Sequence, residues 1–215
     1  TLYRTSGDSP IARSLIKAAE LGKQVVALIE LTARFDEAVN VTWAKELERA
    51  GVHVVYGVVG LKTHCKCVLV VRQEESGLRR YVHVGTGNYN SKTARTYEDI
   101  GLFTCNESIG DDVSHLFNSL TGFGRDHDYK RLIVAPRYLR NTMIQLIKNE
   151  ITFGSEGHMV IKINGLADAE IIELLYQASE AGVRIDLIVR GVCCMRPSSD
   201  HEKNVRIRSV LGRYL

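Results

Sequence analysis

Apolar residues along this chain alternate between two spacings. From Ser9 to Gly22 they fall three and four apart, at Ile11, Leu15, Ala18 and Ala19, which marks one face of a helix. Ser9 and Pro10 open that helix and Gly22 closes it, since proline suits the first helical turn and glycine the cap. Gln24–Leu31 (QVVALIEL) is then a nearly continuous apolar run, the pattern of a strand covered on both faces. A helix over Asp36–Ala50, stopped by Gly51, and a strand over Val52–Tyr56 repeat the alternation. Lys66–Arg72 and Arg80–Val84 read as two further strands joined by a polar turn through Gly77, followed by a helix over Ile109–Leu120. Alternating strands and helices predict an α/β layered fold. Trp43 and Tyr56 are expected in its core.

The pattern recurs at an offset of 160 residues. Ala18–Glu30, with Gly22 as its cap, matches Ala178–Arg190, with Gly182 in the same place. Each stretch is the end of an amphipathic helix, a glycine and a buried strand. This predicts two related halves, 1–128 and 129–215, with the boundary in Gly124–Tyr129. Three strands are counted after the first strand of the first half. On that count the second half is expected to be truncated, and its counterpart of His64 to fall beyond Leu215. Pro136, Arg137 and Arg140 open the helix that begins the second half, where cations either line a phosphate channel or face solvent.

Composition narrows the classes without choosing among them. The chain has 215 residues, 45% hydrophobic and 25% charged, which excludes disordered, collagen-like and disulfide-framework proteins. No apolar run approaches the roughly 20 residues of a membrane span. The opening Thr1-Leu2-Tyr3-Arg4 lacks the pattern of a signal peptide, and its start on threonine reads as a piece of something longer. Net charge is +3, but Arg184–Leu215 carries seven Lys/Arg against Asp186, Asp200 and Glu202. That local excess suits an anionic ligand, although a solvated basic face has the same composition. Five cysteines with no C-x-x-C pair argue against zinc and for reduced thiols in a cytoplasmic protein. Cys193-Cys194 is expected to be reduced and buried.

Two short motifs carry chemistry. His64 and Lys66 form an H-x-K triplet at the entry to a strand. Alternation puts both side chains on one face, roughly 7 Å apart. An imidazole can attack phosphorus while an ammonium neutralises its oxygens. Gly85-Thr86-Gly87-Asn88-Tyr89-Asn90 follows the next strand; its glycines permit a tight turn with amides available to an anion, and Asn88 can orient an imidazole. Taken singly, such a histidine is usually a surface or packed residue and such a turn merely a turn. The combination resembles the phospholipase D-like fold, in which a histidine forms a covalent phospho-intermediate. The acid of the phosphodiesterase motif, five positions after the lysine, is replaced by Val71.

A wider resemblance runs along nearly the whole chain. Tyr3-Arg4-Thr5-Ser6, Glu30–Glu37 (ELTARFDE), Ala50–Gly57, Leu61–Lys66 (LKTHCK), Gly85–Asn90, Asp186–Gly191 and Gly212-Arg213-Tyr214-Leu215 closely resemble the bacterial polyphosphate kinase family. The resemblance implies two phospholipase D-like sandwich halves, each a mixed sheet flanked by helices. It also implies reversible transfer of the γ-phosphate of ATP to inorganic polyphosphate through a phosphohistidine. His64 then matches the phosphoryl carrier, with Lys66 and Asn88 beside it. Tyr97 and Arg190 match nucleotide contacts. Arg4 and Arg34 match positions associated with Mg²⁺, which they would serve by holding phosphate oxygens, since a guanidinium has no lone pair to donate. The family implies a homo-oligomer, no specific nucleic acid and at most peripheral membrane association. A second histidine, in a Glu-His pair, is expected just after Leu215, so the piece alone is expected to be nearly inactive. The competing classes are a phospholipase D-type phosphodiesterase, a non-enzymatic binder of polyanions and a structural oligomerisation piece.

Overall fold

The structure, a computed structural model, describes all residues except 34–35, 123, 125–126, 197–202, 211 and 213–215. It divides into two units, Thr1–Leu132 and Ile133–Leu215.

In the first unit, α1 covers Pro10–Glu20. Ser9 caps it, its hydroxyl oxygen accepting from the Ala12 amide at 3.2 Å, which satisfies one of the amides a helix start leaves open. Gly22 turns the chain out at φ 77°, a left-handed conformation that favours glycine. β1 (Val26–Ile29), α2 (Glu37–Arg49) and β2 (His53–Tyr56) follow, and the two strands pair in parallel. Ala27 and Ile29 of β1 pack with Ala44, Leu47 and Val52 beneath α1 and α2. β3 (Lys66–Glu74), β4 (Gly77–Gly85) and β5 (Gly101–Thr104) form an antiparallel sheet. α3 (Glu107–Leu120) buries Val113 against Cys67 of β3 and Val82 of β4.

The first residues join these two sheets. Leu2 pairs in parallel with Ile29, its amide donating to Leu28 O at 2.7 Å. The Thr1 hydroxyl donates to Cys65 O at 2.7 Å and accepts from the Cys67 amide at 3.1 Å. Asn40, fully buried on α2, donates to both Tyr3 O (2.8 Å) and Glu30 O (3.0 Å). The backbone on either side of Arg4 is therefore held by Asn40, which donates to Tyr3 O and accepts from the Thr5 amide at 3.3 Å.

The second unit contains α4 (Leu139–Ile151), β6 (His158–Ile163), α5 (Ala169–Glu180), β7 (Arg184–Val189) and β8 (Val205–Arg208). Its strands form a parallel sheet in the order β6-β7-β8. Val183, Ile185 and Leu187 pack against Leu175 and Ala178 of α5, all fully buried. The 160-residue echo has a structural counterpart. α5, Gly182 (φ 94°) and β7 repeat α1, Gly22 and β1, and the pairs Val26↔His53 and Ile185↔Val205 start the next parallel strand in each unit.

Several elements differ from the sequence reading. The Gln24–Leu31 strand is shorter, at Val26–Ile29, because Glu30 and Leu31 turn away at its end. The first unit has four strands after β1 instead of three. β5 gives no periodic signal because Leu102 and Phe103, which face opposite ways, are both exposed. Tyr56 is exposed, its hydroxyl donating to Glu48 of α2, whereas Trp43 is buried with its indole N–H on Ser6 O at 2.8 Å. Cys194 is exposed and Cys193 half-buried, both as free thiols. The helix α4 begins at Leu139, after Pro136 and Arg137. Arg140 within it binds Asp168 and Glu170, each at 2.8 Å, so its guanidinium is engaged by carboxylates.

Candidate active site

The site starts from Glu30, at the end of β1. It is a buried carboxylate, 5% exposed, and a buried charge survives only when hydrogen-bonded. Its Oε1 accepts from the Thr32 amide (3.0 Å) and hydroxyl (2.6 Å), and its Oε2 from the Thr63 amide (2.8 Å). Burial opposes its ionisation, but these donors, with Lys62 nearby, outweigh burial and hold its carboxyl below the ordinary value. Lys62 Nζ donates to Thr32 O at 2.8 Å. The two loops are thus tied together immediately before His64.

His64 and Lys66 meet directly. Lys66 Nζ lies 3.0 Å from His64 Nδ1 and 3.1 Å from Nε2, and donates to His64 O at 2.6 Å. β3 begins only at Lys66, so His64 lies in the irregular segment before it, and the expected proximity comes from the direct side-chain contact and not from strand alternation. Tyr3 meets the imidazole edge to face, with centroids 4.5 Å apart and planes at 76°. Around the same phenol ring stand Lys66 Nζ at 5.1 Å, Lys62 Nζ at 5.7 Å and the Arg4 guanidinium at 5.8 Å. Arg4 also pairs with Asp36 at 3.2 Å.

This crowd of cations sets the protonation states. Burial, then Lys66, Arg4 and Lys62, all push the His64 pKa below its ordinary 6.5. Burial lowers Lys66 to about 8. At neutral pH the imidazole is therefore neutral and the ammonium charged, and Lys66 stands as a donor to the ring nitrogen that carries the lone pair, a bond it exchanges for phosphate oxygens when that nitrogen attacks. His64 is exposed, and a neutral nitrogen nucleophile reachable from solvent beside several cations suits an electrophile that carries negative oxygens.

The glycine-rich turn approaches from β4. Thr86 and Ile100 exchange bonds, Thr86 N to Ile100 O and Ile100 N to Thr86 Oγ1, both at 3.0 Å. A Cβ at Gly87 would overlap the Asp99 carboxylate, so this position is glycine for want of space. Asp99 is also near enough to favour the charged form of Lys66. Asn90 accepts from the amides of Lys92 (2.9 Å) and Thr93 (3.2 Å), anchoring the short turn Thr93–Arg95 that leads to half-buried Tyr97. Asn88 lines an open cleft of about 230 Å³ with Pro10, Ile11, Tyr89, Asn90, Ser91 and Ala94. Its carboxamide oxygen is enclosed and has no hydrogen-bond partner among the described residues. The contacts that orient the imidazole come from Tyr3 and Lys66, and Asn88 keeps its oxygen unused.

The remaining candidates are distributed. Arg190 lies in the second unit, exposed just after β7, its amide on Ile163 O at 3.1 Å. Arg34 lies outside the described residues. His83, next to the turn, is packed: its Nδ1 is 2.7 Å from the Tyr89 hydroxyl and its ring stacks on Phe103 at 4.4 Å. Around His64 the side chains are donors, and among the described residues no group of three or more His, Cys, Asp or Glu converges. That donor set fits phosphate oxygens and does not fit a magnesium ion, which takes oxygen ligands. Tyr3, Glu30, Lys62 and Asp99 were not singled out by sequence. A lone acid ending an apolar strand marked Glu30; nothing local distinguished Tyr3.

Comparison with known proteins fits this geometry. The family models for polyphosphate kinase C-terminal domain 1 and domain 2 match residues 1–126 and 132–215. Curated polyphosphate kinases from Mycobacterium avium and Synechocystis are 57% and 58% identical over all of this chain. The chain spans 30% of the length of those relatives. The crystal structure of polyphosphate kinase from Porphyromonas gingivalis superposes with a TM-score of 0.84 at 40% identity, covering all of this chain and 36% of that one. With two family domains matched in order and the fold shared throughout, the chain belongs to the polyphosphate kinase family.

Proposed function

We propose that this chain carries the phosphoryl-transfer centre of a polyphosphate kinase, with His64 as the carrier. A neutral imidazole nitrogen attacks the γ-phosphorus of ATP. The N–P bond forms as the bond to the β,γ-bridging oxygen breaks, and ADP leaves with that electron pair. A terminal oxygen of inorganic polyphosphate then attacks the phosphohistidine, lengthening the chain by one unit and freeing the imidazole; the sequence runs backwards equally. Lys66, Lys62 and Arg4 neutralise the oxygens in both steps, which is where phosphoryl transfer gains most. Tyr97 would contact the nucleotide and Arg190 its phosphates, with Arg4 and Arg34 holding phosphate oxygens. Magnesium would arrive on the nucleotide, and no step here is assigned to it. The reading includes a phospholipase D-like origin for the H-x-K site and a cytoplasmic homo-oligomer for the whole protein. Among the described residues no helix is long and apolar enough to cross a membrane.

The supporting observation is His64 held between Lys66 and Tyr3, with Lys62 and Arg4 beside the same phenol ring. A phosphodiesterase reading is weaker, because Val71, half-exposed on β3, stands where that motif has its acid. A passive binder of polyanions has no use for a nucleophile. The test is labelling of the full-length protein by γ-labelled ATP with Mg²⁺. Label that survives alkali, is lost in acid and is absent from His64→Ala is expected. Equal labelling of both proteins would remove His64 from the role.

A further inference from the structure

We propose that Tyr3 is a positioning residue for phosphoryl transfer, acting through the negative face of its ring; this rests on the reading of His64 above. The cations around His64 must remain positive to receive phosphate, yet like charges held close together repel. A carboxylate counter-ion relieves the repulsion but weakens the field, as Asp36 does for Arg4 at 3.2 Å. An aromatic face attracts cations through its quadrupole without carrying net charge. Tyr3 presents such a face to three cations, Lys66 at 5.1 Å, Lys62 at 5.7 Å and Arg4 at 5.8 Å. All three lie inside the ~6 Å reach of the interaction.

The same ring fixes the nucleophile. The edge-to-face contact at 4.5 Å and 76° is the preferred arrangement of two π systems. It holds the imidazole against Lys66 Nζ. The ring can do this because its own backbone is immobilised, with Asn40 Nδ2 on Tyr3 O at 2.8 Å and Leu2 paired to Ile29. One side chain thus touches the imidazole and all three cations, whose other contacts include Thr32 O for Lys62, His64 O for Lys66 and Asp36 for Arg4.

The test separates ring electronics from ring shape. In the full-length protein, Tyr3 is replaced by Phe, by pentafluorophenylalanine through nonsense suppression, and by Leu. The rate of phosphohistidine formation from γ-labelled ATP and the melting temperature are measured for each. Phe keeps the quadrupole and is expected to stay within about threefold of wild type. Pentafluorophenylalanine keeps the shape but reverses the quadrupole. Its rate is expected to fall at least tenfold below that of Phe, the combined size of three modest cation–π contacts, with melting temperatures alike. Equal rates for the two ring variants would overturn the proposal, whatever Leu does. Wild-type protein that forms no phosphohistidine would overturn the functional reading itself, a distinguishable result.

Discussion

At the scale of single residues, His64 and Lys66 define a window of pH. Attack needs the imidazole neutral and neutralisation needs the ammonium charged. The His64 pKa lies below its ordinary 6.5, from burial and three cations, so activity is lost only as pH falls through that depressed value. Lys66 lies near 8, so activity declines above it. Phosphohistidine formation should follow a bell with its acid limb below pH 6.5 and its alkaline limb near pH 8. An acid limb above 6.5 would contradict the arrangement. Glu30 gives a second prediction. Its two oxygens accept three hydrogen bonds, and a carboxamide would turn an N–H₂ toward one of those donors. Glu30→Gln should lower unfolding stability by about 2 kcal/mol and slow labelling of His64, because the Thr63 amide beside it loses its anchor. Chemical denaturation and the labelling assay check this. The H-x-K pair was legible because a separation of two residues in sequence is close enough for a long lysine to reach the imidazole, although His64 lies just before β3. Tyr3 was not, since its distance from His64 is a matter of tertiary packing.

At the scale of elements, legibility follows how strongly each one repeats. α1, β1 and α2 are called by apolar spacing and by Ser9, Pro10 and Gly22, and the structure keeps them within a few residues. β5 and β8 are as short as β1, but they lack its continuous apolar run: β5 exposes both Leu102 and Phe103, and β8 alternates with Arg206 and Arg208. Their strand state comes from pairing with β4 and β7, a property of the partner. The glycine-rich turn was legible as a turn but not in its reason. Gly87 is required by the closeness of Asp99, a residue twelve positions away. The 160-residue echo was readable because helix cap and strand stand together in sequence, and it reappears as equivalent strand pairings in both units. Asp112 of α3 shows how an element reaches beyond itself. It is fully buried, with Oδ1 accepting from the Lys130 amide at 3.1 Å and Oδ2 from the amides of Arg131 (2.6 Å) and Leu132 (2.9 Å). Burial opposes its charge, but those amides outweigh it and hold its carboxyl below the ordinary 3.8. Its contribution is therefore present above pH 3.8 and lost as pH falls through the depressed value.

At the scale of the whole molecule, the first unit gathers His64, Lys66, Lys62, Arg4 and Tyr3, while Arg190 belongs to the second. The proposed phosphoryl carrier and this nucleotide-phosphate candidate are thus in separate compact units, so removing the second unit should weaken labelling of His64 by γ-labelled ATP. The Asp112 knot has a consequence for anyone cutting the first unit free. The sequence places the joint after residue 128, yet the three amides that receive the buried carboxylate come later, up to Leu132. A scalpel at 128 would leave an anion sealed inside with its solvation removed. Pieces 1–128 and 1–132 differ by four residues, of which Lys130 and Arg131 are exposed and Leu132 packs on the Cys67–Val82–Val113 cluster; at pH 7 the shorter should unfold more easily, by at least about 1–3 kcal/mol from the lost amides. Equal denaturation midpoints would show that water takes over the work of those amides. Four residues that look like the start of a linker are the last stitch of the domain before it.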